Sequence, residues 1–256
     1  MSYGYWDVLK SVGLFAAIRN MLAKRCCPRQ GLGWLRSKYL QHPICFRNGS
    51  TDLGVFAQIF ICLEYACFNQ LSDVGLILDL GANVGYSAAY FLSTFKSCFV
   101  VCVEPDPDNF NVLLENLKPY EGRYLAIKAA VWPEPTDLWF VPATLGVNNE
   151  WGRQVTSSPS AGQPMQTVTI PQIMEMTGRD RISILKVDIE GAEYDLFSRN
   201  SAGWISATDN LCVELHTETC RLAFDKAIGE EDFRLSESGE LTVARRRTSP
   251  RARTAR

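Results

Sequence analysis

Apolar residues along this chain recur with two different periods. Between positions 76 and 215, short continuous apolar runs alternate with stretches of helical spacing. Leu76-Ile77-Leu78-Asp79-Leu80 and Cys98-Phe99-Val100-Val101-Cys102-Val103 are the first two runs, and 124–130, 182–187 and 211–215 are three more. The segments at 88–95 and 106–117 carry apolar residues at helical spacing, with Phe110, Leu113, Leu114 and Leu117 assigned to one face of the second. Strands that are apolar throughout, separated by helices, predict a mostly parallel sheet covered on both faces. A helix through Ile228 and a terminal pair, 233–235 and 240–244, predict an antiparallel C-terminal strand. The fold class is therefore α/β and Rossmann-like, with helices on both faces of the sheet.

Before residue 71 the pattern is helical or irregular. Val8, Val12, Phe15, Ile18 and Leu22 form one stripe, and Val55, Ile59, Leu63 and Ala66 another, capped by Ser50 or Thr51. The division that follows is a helical extension packed on the core (1–70), a Rossmann-like domain (71–244) and a basic, disordered tail (245–256). Segment 142–164, rich in Gly, Ser, Asn and Pro, interrupts the alternation. It is either a mobile excursion or a functional loop in which Trp151 and Arg153 reach a substrate.

Charge adds to this division. The formal net charge is −2, but six arginines fall in the last twelve residues, so the body is acidic and the tail basic. No aromatic residue interleaves those arginines, which argues against a nucleic-acid partner. Nine cysteines at irregular spacing, with no Cys-x-x-Cys, point to neither a zinc ribbon nor a disulfide scaffold and suit a reducing, cytoplasmic setting. No apolar stretch has transmembrane length, and a secretory signal is poorly supported.

The sharpest chemistry is the loop Asp79-Leu80-Gly81-Ala82-Asn83-Val84-Gly85 between a buried strand and a helix. In open α/β sheets ligands bind at the carboxyl ends of strands. Gly81 and Gly85 allow a tight turn and a close ligand approach. A dinucleotide fingerprint would place Gly at position 83 and leave amides for a pyrophosphate. Here Asn83 and the strand-end carboxylate Asp79 disfavour phosphate. They suit a cationic, hydroxyl-bearing ligand such as S-adenosylmethionine. Glu104-Pro105 closes the next strand, where Glu104 can accept hydrogen bonds from ribose hydroxyls. The backbone of Val131, at the end of the third strand, can read an adenine edge. The cofactor set is thus Asp79, Gly81, Asn83, Val84, Gly85, Glu104, Pro105 and Val131.

The order Asp-x-Gly-Ala-Asn-x-Gly at 79–85, Val-Glu-Pro-Asp at 103–106 and Lys-Val-Asp-Ile-Glu-Gly-Ala-Glu at 186–193 resembles the FkbM family of methyltransferases. His42-Pro43, Arg47 and Ser50-Thr51-Asp52 extend the resemblance, which runs from about 42 to 244. It implies a class I S-adenosylmethionine-dependent enzyme that methylates a hydroxyl of a sugar, polyketide or related metabolite, so the partner is a small-molecule or glycan acceptor; the alternatives are a non-catalytic S-adenosylmethionine-binding protein and an N- or protein methyltransferase.

A hydroxyl is a weak nucleophile, so a base beside the acceptor matters. Strand alternation puts Lys186 and Asp188 on one side of the fourth strand, and Glu214 and His216 on one side of the fifth. If the strands are neighbours, these groups converge. The catalytic candidates are Asp188 (base or anchor of the acceptor hydroxyl), Glu190, Glu193 and His216. Each has a structural alternative: Glu193 as a helix cap, Lys186 with Glu214 as an ion pair, His216 as a satisfied structural histidine. Asp188, Glu214 and His216 could also hold a divalent ion, but the metal-free arrangement is the one adopted, with no metal ligand assigned.

Overall fold

The computed structural model describes residues 20, 31–140, 155–156, 163–229 and 231–247. The apolar stripe at 8–22, Cys26, Cys27, Trp151, Arg153 and the arginines beyond 247 lie outside the described residues.

A seven-stranded sheet forms the centre. Its strands are β3 (Leu76–Leu80), β4 (Phe99–Val103), β5 (Tyr124–Ile127), β11 (Ile184–Val187), β12 (Asn210–Glu214), β13 (Phe233–Ser238) and β14 (Leu241–Arg246). Their order is β13-β14-β12-β11-β3-β4-β5. β14 runs antiparallel to both neighbours, and the other pairings are parallel. The expected mostly parallel sheet with an antiparallel C-terminal strand is what forms. The order reverses between β3 and β11, which opens a crevice at their carboxyl ends.

Side-chain alternation divides the core into two layers. Ile77, Val100, Cys102, Ile184, Cys212 and Val243 face α1 (Asp52–Phe60), α2 (Tyr86–Thr94) and α3 (Pro107–Leu117), with Phe60, Tyr86, Tyr90 and Phe91 filling that layer. Leu78, Leu80, Val101, Val103, Leu185, Val187 and Val213 face the other way. They pack on α4 (Ile170–Thr177), α5 (Glu193–Ser198), α6 (Ala202–Ser206) and α7 (Glu218–Ile228), anchored by Phe197, Trp204 and Phe224. Both faces being covered is why these strands are apolar throughout. It also puts Asp79 and Lys186, which share the first face, inside the protein.

Local sequence explains the helix starts. The Asp106 carboxylate accepts from the amides of Asp108 and Asn109 ahead of Pro107 at the first helical position of α3. Thr169 and Gln172 form a reciprocal capping box on α4. The apolar face of α3 differs from expectation. Val112, Leu113, Asn116 and Leu117 are buried, while Leu114 turns outward, because Asn116 is drawn inward to bridge two backbone segments.

Three boundaries are corrected. Residues 31–47 form an antiparallel hairpin, β1 (Leu32–Leu35) with β2 (Ile44–Arg47), where helical or irregular structure was expected. The buried–exposed alternation of β1 shows the reason, since one face packs on the core and the other does not. The helical stripe 55–66 breaks at Leu63, which takes a left-handed conformation (φ 58°) before a short 3-10 turn at Glu64–Phe68. The chain stays in the sheet past residue 244: Arg245 and Arg246 belong to β14, where Arg246 is ion-paired to Glu231 and Arg245 donates to the Cys67 carbonyl at 2.8 Å.

The third strand also ends early. β6 (Ala130–Val131) leaves the main sheet and pairs with β10 (Thr167–Val168). Just before the interrupting segment, β7 (Leu138–Phe140) pairs with β8 (Val155–Thr156) and β9 (Gln163–Met165), so part of what reads as loop at 142–164 is antiparallel strand.

Candidate active site

A cavity of about 560 Å³ lies at the carboxyl ends of β3, β4 and β11, within the size range of small-molecule sites. Gly81, Asn83, Glu104, Pro105 and Val131 line it, as do Asp188 and Glu190.

The glycine loop is held by backbone. Gly81, Asn83 and Gly85 all take positive φ (75°, 50° and 81°). The amides of Gly81 and Ala82 both donate to the Val103 carbonyl. A Cβ at Gly81 would collide with the Asp188 carbonyl oxygen, and one at Gly85 would come within 3.0 Å of Leu113 Cγ. The first glycine thus lets β3 and β11 close on each other, and the second lets α2 begin against α3. Gly85 and Val84 do this from beneath the cavity and are not part of its wall; Val84 is fully buried and its carbonyl accepts from Asn116 Nδ2 at 2.8 Å.

Glu104 forms the floor. Its two carboxylate oxygens accept from the amides of Asn83 (2.7 Å) and Asp106 (3.0 Å). Burial pushes this carboxyl up to about 7, against the lowering effect of the Asn83 amide and the Asn109 side chain.

Asp79 does not face the cavity. It is fully buried, accepts from Ser87 Oγ at 2.6 Å and lies 3.3 Å from Lys186 Nζ. Lys186 also donates to the Gly81 carbonyl at 2.6 Å and approaches Asp188 at 3.5 Å. Burial alone would lower this lysine, but Asp79 and then Asp188 outweigh it and hold the ammonium above its ordinary range. Lys186 is therefore a strut. It ties the glycine loop to Asp188, and its ion-pair partners are Asp79 and Asp188 instead of Glu214.

The catalytic candidates do converge, because β11 and β12 are neighbours with Lys186 beside Cys212. His216 is the hub. Its Nδ1 lies 3.0 Å from Glu193 Oε1, a fully buried carboxylate that also accepts from the Ile189 amide at 3.1 Å. Its Nε2 faces Glu190 (3.5 Å), Glu214 (3.6 Å) and Asp188 (3.9 Å). The Glu193 hydrogen bond is the largest influence lifting His216, to about 9, so the ring is an imidazolium at neutral pH. Glu193 moves the other way: burial would raise it, but the His216 contact wins and lowers it. Burial, then the Asp188 charge, pushes Glu190 and Glu214 each up to about 7. One ligand atom from each of Asp188, Glu214 and His216 can lie within 4.8 Å of the others.

The family match spans this whole assembly: the Methyltransferase FkbM domain matches residues 79–227, from the strand-end aspartate through α7. The chain belongs to the FkbM methyltransferase family. It is similar to the hexuronic acid methyltransferase AglP of Haloferax volcanii, at 22% identity over 182 residues that cover 69% of this chain and 73% of that protein. It is also similar to Methyltransferase 1 of Beauveria bassiana, at 25% identity over 182 residues, 63% and 72% of the two chains. Among solved structures, precorrin-6y C5,15-methyltransferase from Geobacter metallireducens superposes with a TM-score of 0.44, at 9% identity, over 73% of this chain and 87% of its own. Aeropyrum pernix fibrillarin, solved with natively bound S-adenosyl-L-methionine, gives 0.42 at 11% identity, over 71% and 72%. As a member of this family the protein is a methyltransferase enzyme.

Some lining groups were not assigned to the site from the sequence. The turn before α1 closes over the cavity: Arg47, Asn48, Gly49, Ser50 and Thr51 line it. Arg47 is locked by a two-pronged contact with Asp52 and a 2.8 Å hydrogen bond to Asn109. Only long-range contact reveals this, since 62 residues separate Arg47 from Asn109. Asp106 had a local signal, an Asp-Pro pair opening a helix. No described helix is long and apolar enough to cross a membrane.

Proposed function

We propose that this enzyme uses S-adenosylmethionine to methylate a hydroxyl of a sugar or related metabolite. The observation that carries the reading is Glu104, a buried carboxylate on the floor of a cavity walled by a positive-φ glycine loop. Carboxylate oxygens there match ribose hydroxyls and repel phosphate. Gly81, Asn83, Glu104, Pro105 and Val131 would hold the cofactor, while Asp79, Val84 and Gly85 shape the loop from behind.

S-adenosylmethionine, held by Gly81, Asn83, Glu104, Pro105 and Val131, would supply a methyl group activated by its cationic sulfur. The remaining work falls to the chain. Asp188, on the cavity wall, accepts the acceptor's hydroxyl proton and passes it to solvent. His216, an imidazolium pinned by Glu193, orients Asp188 and Glu190 from the Nε2 side. Lys186 fixes Asp188 relative to the glycine loop. The relative named for hexuronic acid supports a sugar acceptor. The reducing, cytoplasmic setting read from the cysteines is part of the same proposal.

The test is calorimetric titration of the purified protein with S-adenosylmethionine, beside Glu104→Ala and an NADH control. Binding by the native protein, weakened by the substitution and not seen with NADH, is expected. Absence of binding by a folded sample overturns the reading. Product analysis after incubation with sugar acceptors separates O- from N-methylation.

A further inference from the structure

The charge at the acceptor end of the cleft narrows the class of acceptor. This step rests on the hydroxyl-methylation reading above. Five carboxylates, Asp79, Asp188, Glu190, Glu193 and Glu214, surround two cations, Lys186 and His216. The cations are the enclosed or pinned members. Lys186 is buried and committed to Asp79, Asp188 and the Gly81 carbonyl. His216 gives its Nδ1 side to Glu193 and turns Nε2 to three acids. Acids outnumber cations among the accessible members: the Asp188, Glu190 and Glu214 side chains are 29%, 33% and 29% exposed, beside His216 at 24%. Asp188 and Glu190 also line the cavity, so this acidic rim is continuous with it. Among the described residues that line the cavity, the one cation is Arg47, and it is held by Asp52 and Asn109 at the α3 end.

We propose that the acceptor is a polyhydroxylated molecule that bears an amine and no acidic group. Carboxylate lone pairs accept from hydroxyl donors, and more strongly from an ammonium, where the bond joins opposite charges. A carboxylate on the acceptor would meet the Asp188 charge and the partly ionised Glu190 and Glu214, against one cation, His216, that these acids already surround, a cost of the kind that rejects wrong partners at interfaces generally. That sets the chain apart from the relative named for hexuronic acid.

The charge of the rim is itself adjustable. Glu190 faces Asp188, His216, Glu193 and Lys186, and Glu214 faces Asp188, His216, Glu240 and Glu64. Both titrate near neutrality, so the rim becomes more negative between pH 6 and 8, and discrimination against an anionic acceptor grows over that interval.

A matched trio tests the proposal: the methyl glycosides of glucosamine, glucose and glucuronic acid, each offered with S-adenosylmethionine at low salt. The expected order of kcat/KM is amine, neutral, acid, with steps on the order of tenfold for one charge contact in a half-solvated site. Raising the pH from 6 to 8 widens the gap between glucoside and glucuronide, and Glu214→Gln narrows it, with a thermal melt confirming that the variant is folded. A glucuronide that matches or exceeds the glucoside overturns the proposal. So does glucuronide turnover that arises only when Mg²⁺ is added, because a bound cation would then be what the acceptor meets. No transfer to any of the three, with S-adenosylmethionine still binding, overturns the proposal and leaves the cofactor reading standing.

Discussion

The two ends of the cleft are built on opposite principles. The cofactor end is mostly backbone: a loop of positive-φ residues, two amides on one carbonyl, and a single carboxylate whose oxygens are both occupied. The acceptor end is side chains drawn from β11, the turn before α5 and the end of β12, crowded around one imidazole. Backbone geometry tolerates few residue types, so the first end is nearly rigid in composition. A cluster of charges can be retuned one residue at a time, so the second is where specificity can change without loss of the fold. Lys186 joins the two, with one contact to the Gly81 carbonyl and one to Asp188.

The sharpest way to break the comparison is Asp188→Asn. It should lower kcat by about 100- to 10,000-fold, the usual range for a lost acid–base group, while S-adenosylmethionine still binds; single-turnover rates beside a binding titration separate the two effects. Lys186→Met should damage both ends together. It leaves Asp79 as an uncompensated buried charge and should cost about 3–5 kcal/mol of stability, read as a fall in the denaturant midpoint. Glu104→Gln should act mainly on the cofactor end, weakening binding by roughly tenfold or more, as expected for a hydrogen bond to a charged group, with a cooperative thermal melt confirming that the variant is folded. At the other end, Glu193→Gln should lower the His216 midpoint in an NMR titration by about one unit or more and leave cofactor affinity unchanged.

The smallest effect is on stability against pH, and its sign follows from linkage. The Glu104 carboxyl is raised in the folded state to about 7, so folding takes up a proton there, and stability falls as the pH rises from about 4.5 through 7. His216 is raised to about 9, so its contribution is complete below about 6.5 and is lost as the pH climbs through 9. Both slopes have the same sign. The melting temperature of the unliganded protein should decline from pH 5 to pH 9, and Glu104→Gln should flatten the acidic half of that curve.

The same contrast explains what the chain disclosed before folding was considered. The cofactor end lies in two short contiguous stretches, 79–85 and 103–106, whose residue types follow from backbone geometry, and the sheet follows from apolar runs with the right spacing. Asp188 and His216 could be brought together on paper only by assuming that two strands are neighbours, an assumption the sheet order bears out. Two things stayed out of reach. Asp79 reads as a ligand-facing carboxylate at a strand end, yet the alternation that makes β3 apolar turns it inward to Ser87 and Lys186. The hairpin at 31–47 carries apolar residues on both faces of β1, with Leu32 and Trp34 exposed and Gly33 and Leu35 buried, so its sequence declares no alternation.

That hairpin bears on how the protein can be handled. The Cys45 amide donates to Asn116 Oδ1 at 2.6 Å, Asn116 Nδ2 donates to the Val84 carbonyl at 2.8 Å, and the Tyr86 hydroxyl donates to the Cys45 carbonyl at 2.7 Å. A segment outside the conventional catalytic unit thus splints the glycine loop through one amide side chain. A fragment starting at residue 71 would keep the motifs at 79–85, 103–106 and 186–193 but lose that splint and the cavity wall at Arg47 to Thr51. Truncation, domain grafting or circular permutation of this enzyme should therefore carry residues 31–70 along, because they work as scaffolding for the loop and not as a detachable leader.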